Sequence, residues 1–156
     1  MHRLGKAVIC YSSGESEHAW TAECMQSDFQ YIILPEQRFI AQRFRGTVAL
    51  VDVIAATETM WDDPAYRTDY CGISDLTDCR IVAEPSDVVS LLTFLRQPQV
   101  NRASWAAIFS EPKGTALAFL FRSSNCFLKR FGVFSTWESA GDFLEVPIHA
   151  SIFEWV

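Results

Sequence analysis

From Asp28 onward, short apolar runs alternate with amphipathic stretches in a regular order. "FQYIIL" (29–34) and "RFIAQRF" (38–44) are rich in β-branched and aromatic residues, and only "PEQ" and its flanks separate them, so a hairpin is predicted. Gly46 is expected to break the chain before a helix. In "TVALVDVIAATETMW" (47–61), Leu50, Val53, Ile54 and Trp61 recur at helical spacing, with Thr47 placed to cap the first turn. Pro64 in "DDPAY" closes that helix, because the residue before a proline avoids the helical region.

The pattern then repeats. "DYCGISD" (69–75) is a short, buried-type strand that ends in a polar turn, and Val88, Leu91, Leu92 and Leu95 make one apolar helical stripe stopped near Pro98. "ASWAAIFS" (103–110) predicts a strand, "EPKGTALAFLFRSS" (111–124) a helix presenting Leu117, Leu120 and Phe121, and "LKRFGVF" (128–134) a further strand. "STWESAGDFL" (135–144) predicts the last helix, opened by a capping box of Ser135 and Glu138.

Strands alternating with helices imply right-handed crossovers and parallel pairing. The expected fold is therefore α/β: a mostly parallel five-stranded sheet with an antiparallel edge strand and about four helices. The short 29–44 hairpin supplies the antiparallel edge, since its connection is too short for a crossover. Residues 1–27, with an apolar "AVICY" and a polar "SSGESEH", read as an N-terminal extension that could add one strand. Residues 28–146 form the domain, and 147–156 an apolar C-terminal tail. Ile148, Ile152, Phe153, Trp155 and Val156 are too apolar for a frayed end, so the tail is expected to dock on its own domain or on a second subunit.

In order and spacing, "FRGTVALVDV", "DDPAY", "ISDLTD" and "VFSTWESAGDFL" resemble the STAS, or SpoIIAA-like, domains of bacterial anti-sigma-factor antagonists. More closely, they resemble uncharacterised bacterial STAS-like proteins distantly related to lipid-transfer domains. The resemblance spans about three quarters of the chain and implies a SpoIIAA-like fold. It also implies a regulatory site where the third strand of the expected sheet meets the next helix. "DLT" (Asp75, Leu76, Thr77) matches the family's first element there, and Ser86 in "EPSD" stands nearest the family's phosphorylatable serine. The neighbouring serine and the glycine are missing, and Glu84 and Asp87 would repel a phosphate. Ser86 is therefore expected to be the N-cap of the next helix.

Composition narrows the remaining chemistry. A hydrophobic share of 49% and an aromatic share of 13% in 156 residues suit one packed domain. A net charge of −6 with scattered basic residues argues against a nucleic-acid surface. No apolar run reaches the roughly 20 residues of a membrane span. "AVIC" is too short for a signal-peptide core, so a cytoplasmic location is expected. Five widely spaced cysteines without a C-x-x-C or zinc spacing read as reduced structural thiols. No cofactor and no metal are expected.

Asp75, Asp78 and Glu84 fall close together near a strand end, where a hard cation or acid–base chemistry could be placed; solvated turn carboxylates are the plainer reading. "YSSGES" (11–16) holds a serine–glycine pair but precedes the sheet. Cys79 stands beside Asp78 and Cys71 reads as part of a strand, and a Cys–His nucleophile would need His2, His18 or His149, all outside the core repeat. The aromatics Trp61, Phe94, Phe119, Phe121, Phe127 and Phe143 exceed what a small core needs, which points to an interface or an apolar pocket. The functional expectation is a non-catalytic domain acting through protein association, as a homodimer or with another regulatory protein. The alternative is a small apolar-ligand or lipid-binding domain. A cavity favours the second, a flat apolar face the first.

Overall fold

The structure, a computed structural model, describes residues 3–9, 27–100, 102–123 and 130–154. Its strands lie side by side in chain order: β1 (Arg3–Ile9), β2 (Ser27–Leu34), β3 (Phe39–Ala49), β4 (Cys71–Val82), β5 (Trp105–Phe109) and β6 (Phe131–Phe134). The first three pair antiparallel, and every pairing from β3 to β6 is parallel. The α/β class, the five expected strands and four helices are all present. The sheet carries one strand more, because Arg3–Ile9 pairs along the outer side of β2, from Arg3↔Ile33 to Ile9↔Ser27. β2 is thus flanked on both sides, and the antiparallel edge falls to β1.

Each crossover helix moves the chain one strand further in the same direction. Right-handed crossovers must then put all three helices on one face. These are α1 (Leu50–Trp61), α2 (Pro85–Phe94) and α3 (Pro112–Ser123). They bury Leu50, Met60, Leu91, Phe94 and Ala118 against sheet residues such as Phe44, Leu76 and Phe109. The other face receives no crossover, so the chain beyond β6 must cover it. There α4 (Trp137–Leu144) and a 3-10 segment (Ala150–Glu154) pack Ala140, Leu144 and Phe153 on Ile73, Ala106 and Ile108. The tail therefore docks on its own domain.

Several element ends depart from expectation. Gly46 does not end β3: it sits at φ 80, in the left-handed region that suits glycine, and the strand continues to Ala49. Thr47 is consequently inside β3, and α1 starts from Ala49, whose N–H donates to the Asp52 carboxylate at 2.7 Å. For α4 the cap is Thr136 rather than Ser135; Thr136 has the extended backbone of a cap, and its Oγ1 accepts from the Ser139 N–H at 3.2 Å.

No helix among the described residues is long and apolar enough to cross a membrane. Ser12, Ser13, Cys10, Cys24, Cys126, His2, His18, Phe127, Trp155 and Val156 lie outside the described residues, as do the side chains of Leu120 and Phe121.

Candidate functional site

The stretch read as a polar turn after Asp75 is strand. β4 runs unbroken from Cys71 to Val82, and β3 continues alongside it. Between the pairs Arg43↔Asp75 and Arg45↔Asp78, β3 has one residue and β4 two, which makes a bulge at Leu76 and Thr77. Asp75 holds that bulge together. Its Oδ1 accepts from the Thr77 N–H at 3.1 Å and from the Thr77 hydroxyl at 2.6 Å, replacing ladder bonds that the bulge interrupts.

The other carboxylate oxygen faces the α4 side. Asp75 Oδ2 accepts from Arg43 Nε at 2.9 Å and from the Trp137 indole at 3.2 Å. Arg43 in turn donates to the Ala150 carbonyl at 3.2 Å and lies 4.3 Å from the centre of the Phe153 ring. Both charges are buried, with side-chain exposures of 10% and 3%. All the polar capacity of this carboxylate is committed to protein partners. The network ties β3, β4, α4 and the tail into one unit, and its geometry is structural.

The neighbours expected to share a site with Asp75 are dispersed. Asp78 is exposed and pairs loosely with Arg45 at 3.8 Å. Glu84 is exposed and stands at the N-cap of α2, where its N–H donates to the Asp87 carboxylate at 3.1 Å. Ser86 is not the cap. Pro85 occupies the first helical position, which its fixed φ and missing N–H suit. Ser86 therefore falls at the second, exposed, with its carbonyl accepting from the Ser90 hydroxyl.

Cys79 donates to the Leu76 carbonyl at 3.3 Å. Burial pushes its thiol up to about 12, with smaller contributions from the carboxylates of Glu111, Asp75 and Asp78. It is held as the thiol, the opposite of an activated nucleophile.

The opposite face of the sheet holds a cavity of about 140 Å³ between β3, β4, β5 and the three crossover helices. Its walls are aliphatic and aromatic. Trp61 of α1 and Phe94 of α2 stack with ring centres 4.8 Å apart and planes 9° from parallel. Tyr66, Leu95 and Val100 are half-buried at its margin. Tyr66 donates to the Gln99 carbonyl at 2.9 Å. Desolvation raises its phenol to about 12, which the Trp61 indole partly opposes. Among the described residues, no lining residue is acidic or basic.

The floor is polar. Gln42 and Ser74 are paired residues of β3 and β4, and Trp105 comes from β5. Ser74 Oγ accepts from Gln42 Nε2 at 2.6 Å and from Trp105 Nε1 at 2.8 Å. Gln42 Oε1 is buried and has no hydrogen-bond partner. Sequence reasoning passed over these three residues, although a signal existed: Gln42 and Ser74 are uncharged polar residues inside buried-type strands, where a hydrogen bond must be found for each.

No family model and no curated protein matches the chain. Among solved structures it is similar to an uncharacterised protein of the DUF3478 family from Shewanella loihica PV-4, described as having a SpoIIAA-like fold. The TM-score is 0.44 and the identity 13%, over 92% of this chain and 95% of that one.

Proposed function

We propose that this domain binds a small, largely apolar molecule between its sheet and its crossover helices. The cavity of about 140 Å³ carries the reading. Protein interiors are close-packed, with few voids larger than a water molecule. A dry apolar cavity of roughly 150 Å³ is large enough to take a benzene-sized guest. Its position among three helices and a sheet, with a few convergent polar groups, is that of a ligand site.

Association as a homodimer or with another protein has less behind it. The exposed large apolar side chains among the described residues, Val51, Val82, Val89 and Phe119, are spread over α1, β4, α2 and α3. The tail is engaged with its own domain through Phe153.

The test is to fill the cavity. Ala107 lines it from β5 and is buried. Toluene and indole should raise the melting temperature of the native protein, and Ala107→Leu should remove both shifts while the fold is kept. If neither compound shifts the native protein, and no small molecule travels with it in native mass spectrometry, the reading fails.

A further inference from the structure

The polar floor of the cavity specifies more than an apolar guest. A serine hydroxyl has two acceptor positions and one proton. Gln42 Nε2 and Trp105 Nε1 fill both acceptor positions of Ser74 Oγ, which leaves its proton to be donated. Trp105 admits no alternative, since an indole nitrogen only donates. Beside that proton stands Gln42 Oε1, an acceptor on a residue that is 5% exposed, without a partner. An unpaired donor and an unpaired acceptor thus lie together at the floor of a chamber whose other described polar lining groups, beyond that floor, are the hydroxyls of Thr57 and Tyr66 and the buried indole N–H of Trp61.

A ligand hydroxyl answers both, giving its proton to Gln42 Oε1 and accepting from Ser74. A carbonyl ligand has no proton for Oε1. A carboxylate or an ammonium would enter a chamber whose described lining offers no opposite charge, and an uncompensated buried charge is costly. Tyr66, the titratable group among the described lining residues, is neutral at ordinary pH, and burial raises its phenol further, to about 12. The flat stack of Trp61 on Phe94 makes one wall planar, which suits an aromatic ring in offset or edge contact.

Resting on the cavity reading above, we infer that the ligand is a neutral, ring-sized molecule bearing one hydroxyl, of the phenol class, with its oxygen seated between Gln42 and Ser74.

Isotope-labelled protein titrated with phenol, toluene, benzaldehyde and benzoate, and followed by amide NMR shifts, tests this. Phenol and toluene have nearly the same shape and differ in the hydroxyl. Phenol should bind about tenfold more tightly than toluene or benzaldehyde, because a site built to pair a hydroxyl rejects analogues that lack it. Benzoate should not bind. Gln42→Leu should abolish the preference for phenol while leaving toluene bound, and Gln42→Met gives the same readout should the branched side chain disturb folding. Toluene binding as tightly as phenol to the native protein overturns the inference but leaves the cavity reading standing. Tightest binding of benzaldehyde also overturns it, since the Gln42 amide would then present its NH2 to the ligand. A phenol preference that survives both Gln42 substitutions removes the role given to Gln42. If none of the four binds, the cavity reading falls as well.

Discussion

The indole of Trp105 lies where a side chain on Gly72, its partner across the β4–β5 pairing, would stand. The glycine lets the ring lie against the strand and reach Ser74 two residues on. Gly72→Ala should therefore push the ring off the sheet and break the bond from Trp105 to Ser74. We expect a loss of about 1–3 kcal/mol, typical of overpacking, and a shifted Trp105 indole N–H resonance. A stable variant with that resonance unmoved would show that the ring is not held by this contact.

The ion pair of Arg43 and Asp75 should behave as a buried pair. Asp75→Ala leaves Arg43 charged and unpaired, and urea unfolding should report a loss of about 3–5 kcal/mol. The double variant Arg43→Met, Asp75→Ala should lose less than the sum of the single changes, because residues in one network couple. Additive losses would mean that the two side chains act independently.

For α2 the expected ranking comes from the observed cap. Asp87→Ala removes the acceptor for the Glu84 N–H and should cost about 1 kcal/mol. Ser86→Ala, at an exposed second helical position, should stay within about 0.5 kcal/mol of the native protein. Thermal melts of the two variants decide this, and the reverse ranking would restore Ser86 as the cap.

Alkaline pH should weaken the fold. Cys79 ordinarily ionises near 9 and Tyr66 near 10, and burial raises both to about 12 in the folded chain. Between these values the unfolded chain has released protons that the folded chain still holds, so stability must fall as pH rises. The decline should begin above about pH 9. Cys79→Ala should flatten its first part and Tyr66→Phe its later part. A stability curve level from pH 9 to 11 would contradict the buried states of both groups.

The tail should be part of the domain. Phe153 packs edge-on to Trp137, with ring centres 6.1 Å apart, and under Arg43. Phe153→Ala should cost about 3–5 kcal/mol as a buried aromatic deletion. Truncation after Val146 should lower the melting temperature without changing the mass seen by light scattering. Loss of a dimer on truncation would instead mean that the tail crosses between subunits.

Much of the architecture was legible because burial and periodicity agree. Val88, Leu91, Leu92 and Leu95 form a true inner stripe, and the alternation of strands and helices leads directly to parallel pairing. The ends of elements were less legible. Gly46 and the "DLTD" run look like breaks, yet Gly46 continues the strand through a positive φ, and the Asp75 carboxylate satisfies a bulge that the sequence shows only as turn-formers. The period-two burial of Cys79 and Ile81 against exposed Asp78, Arg80 and Val82 was the available clue. The candidate site was legible as residues but not as a site: Asp75 and Thr77 do meet, while Asp78 and Ser86 point elsewhere. Gln42 and Ser74 are 32 positions apart in sequence, and only strand pairing brings them together.

The one-directional strand order has a consequence for synthesis. The segments that cover the second face of the sheet, α4 and the 3-10 turn with Phe153, both come after β6 in the chain. At roughly 5–20 residues per second, Ile73, Ala106 and Ile108 leave the ribosome seconds before Phe153 does. During that interval the nascent sheet shows water an apolar strip that the helices of the first face cannot reach. A holding chaperone, or the ribosome surface itself, has this strip to engage, and a stall between β6 and the tail leaves it open.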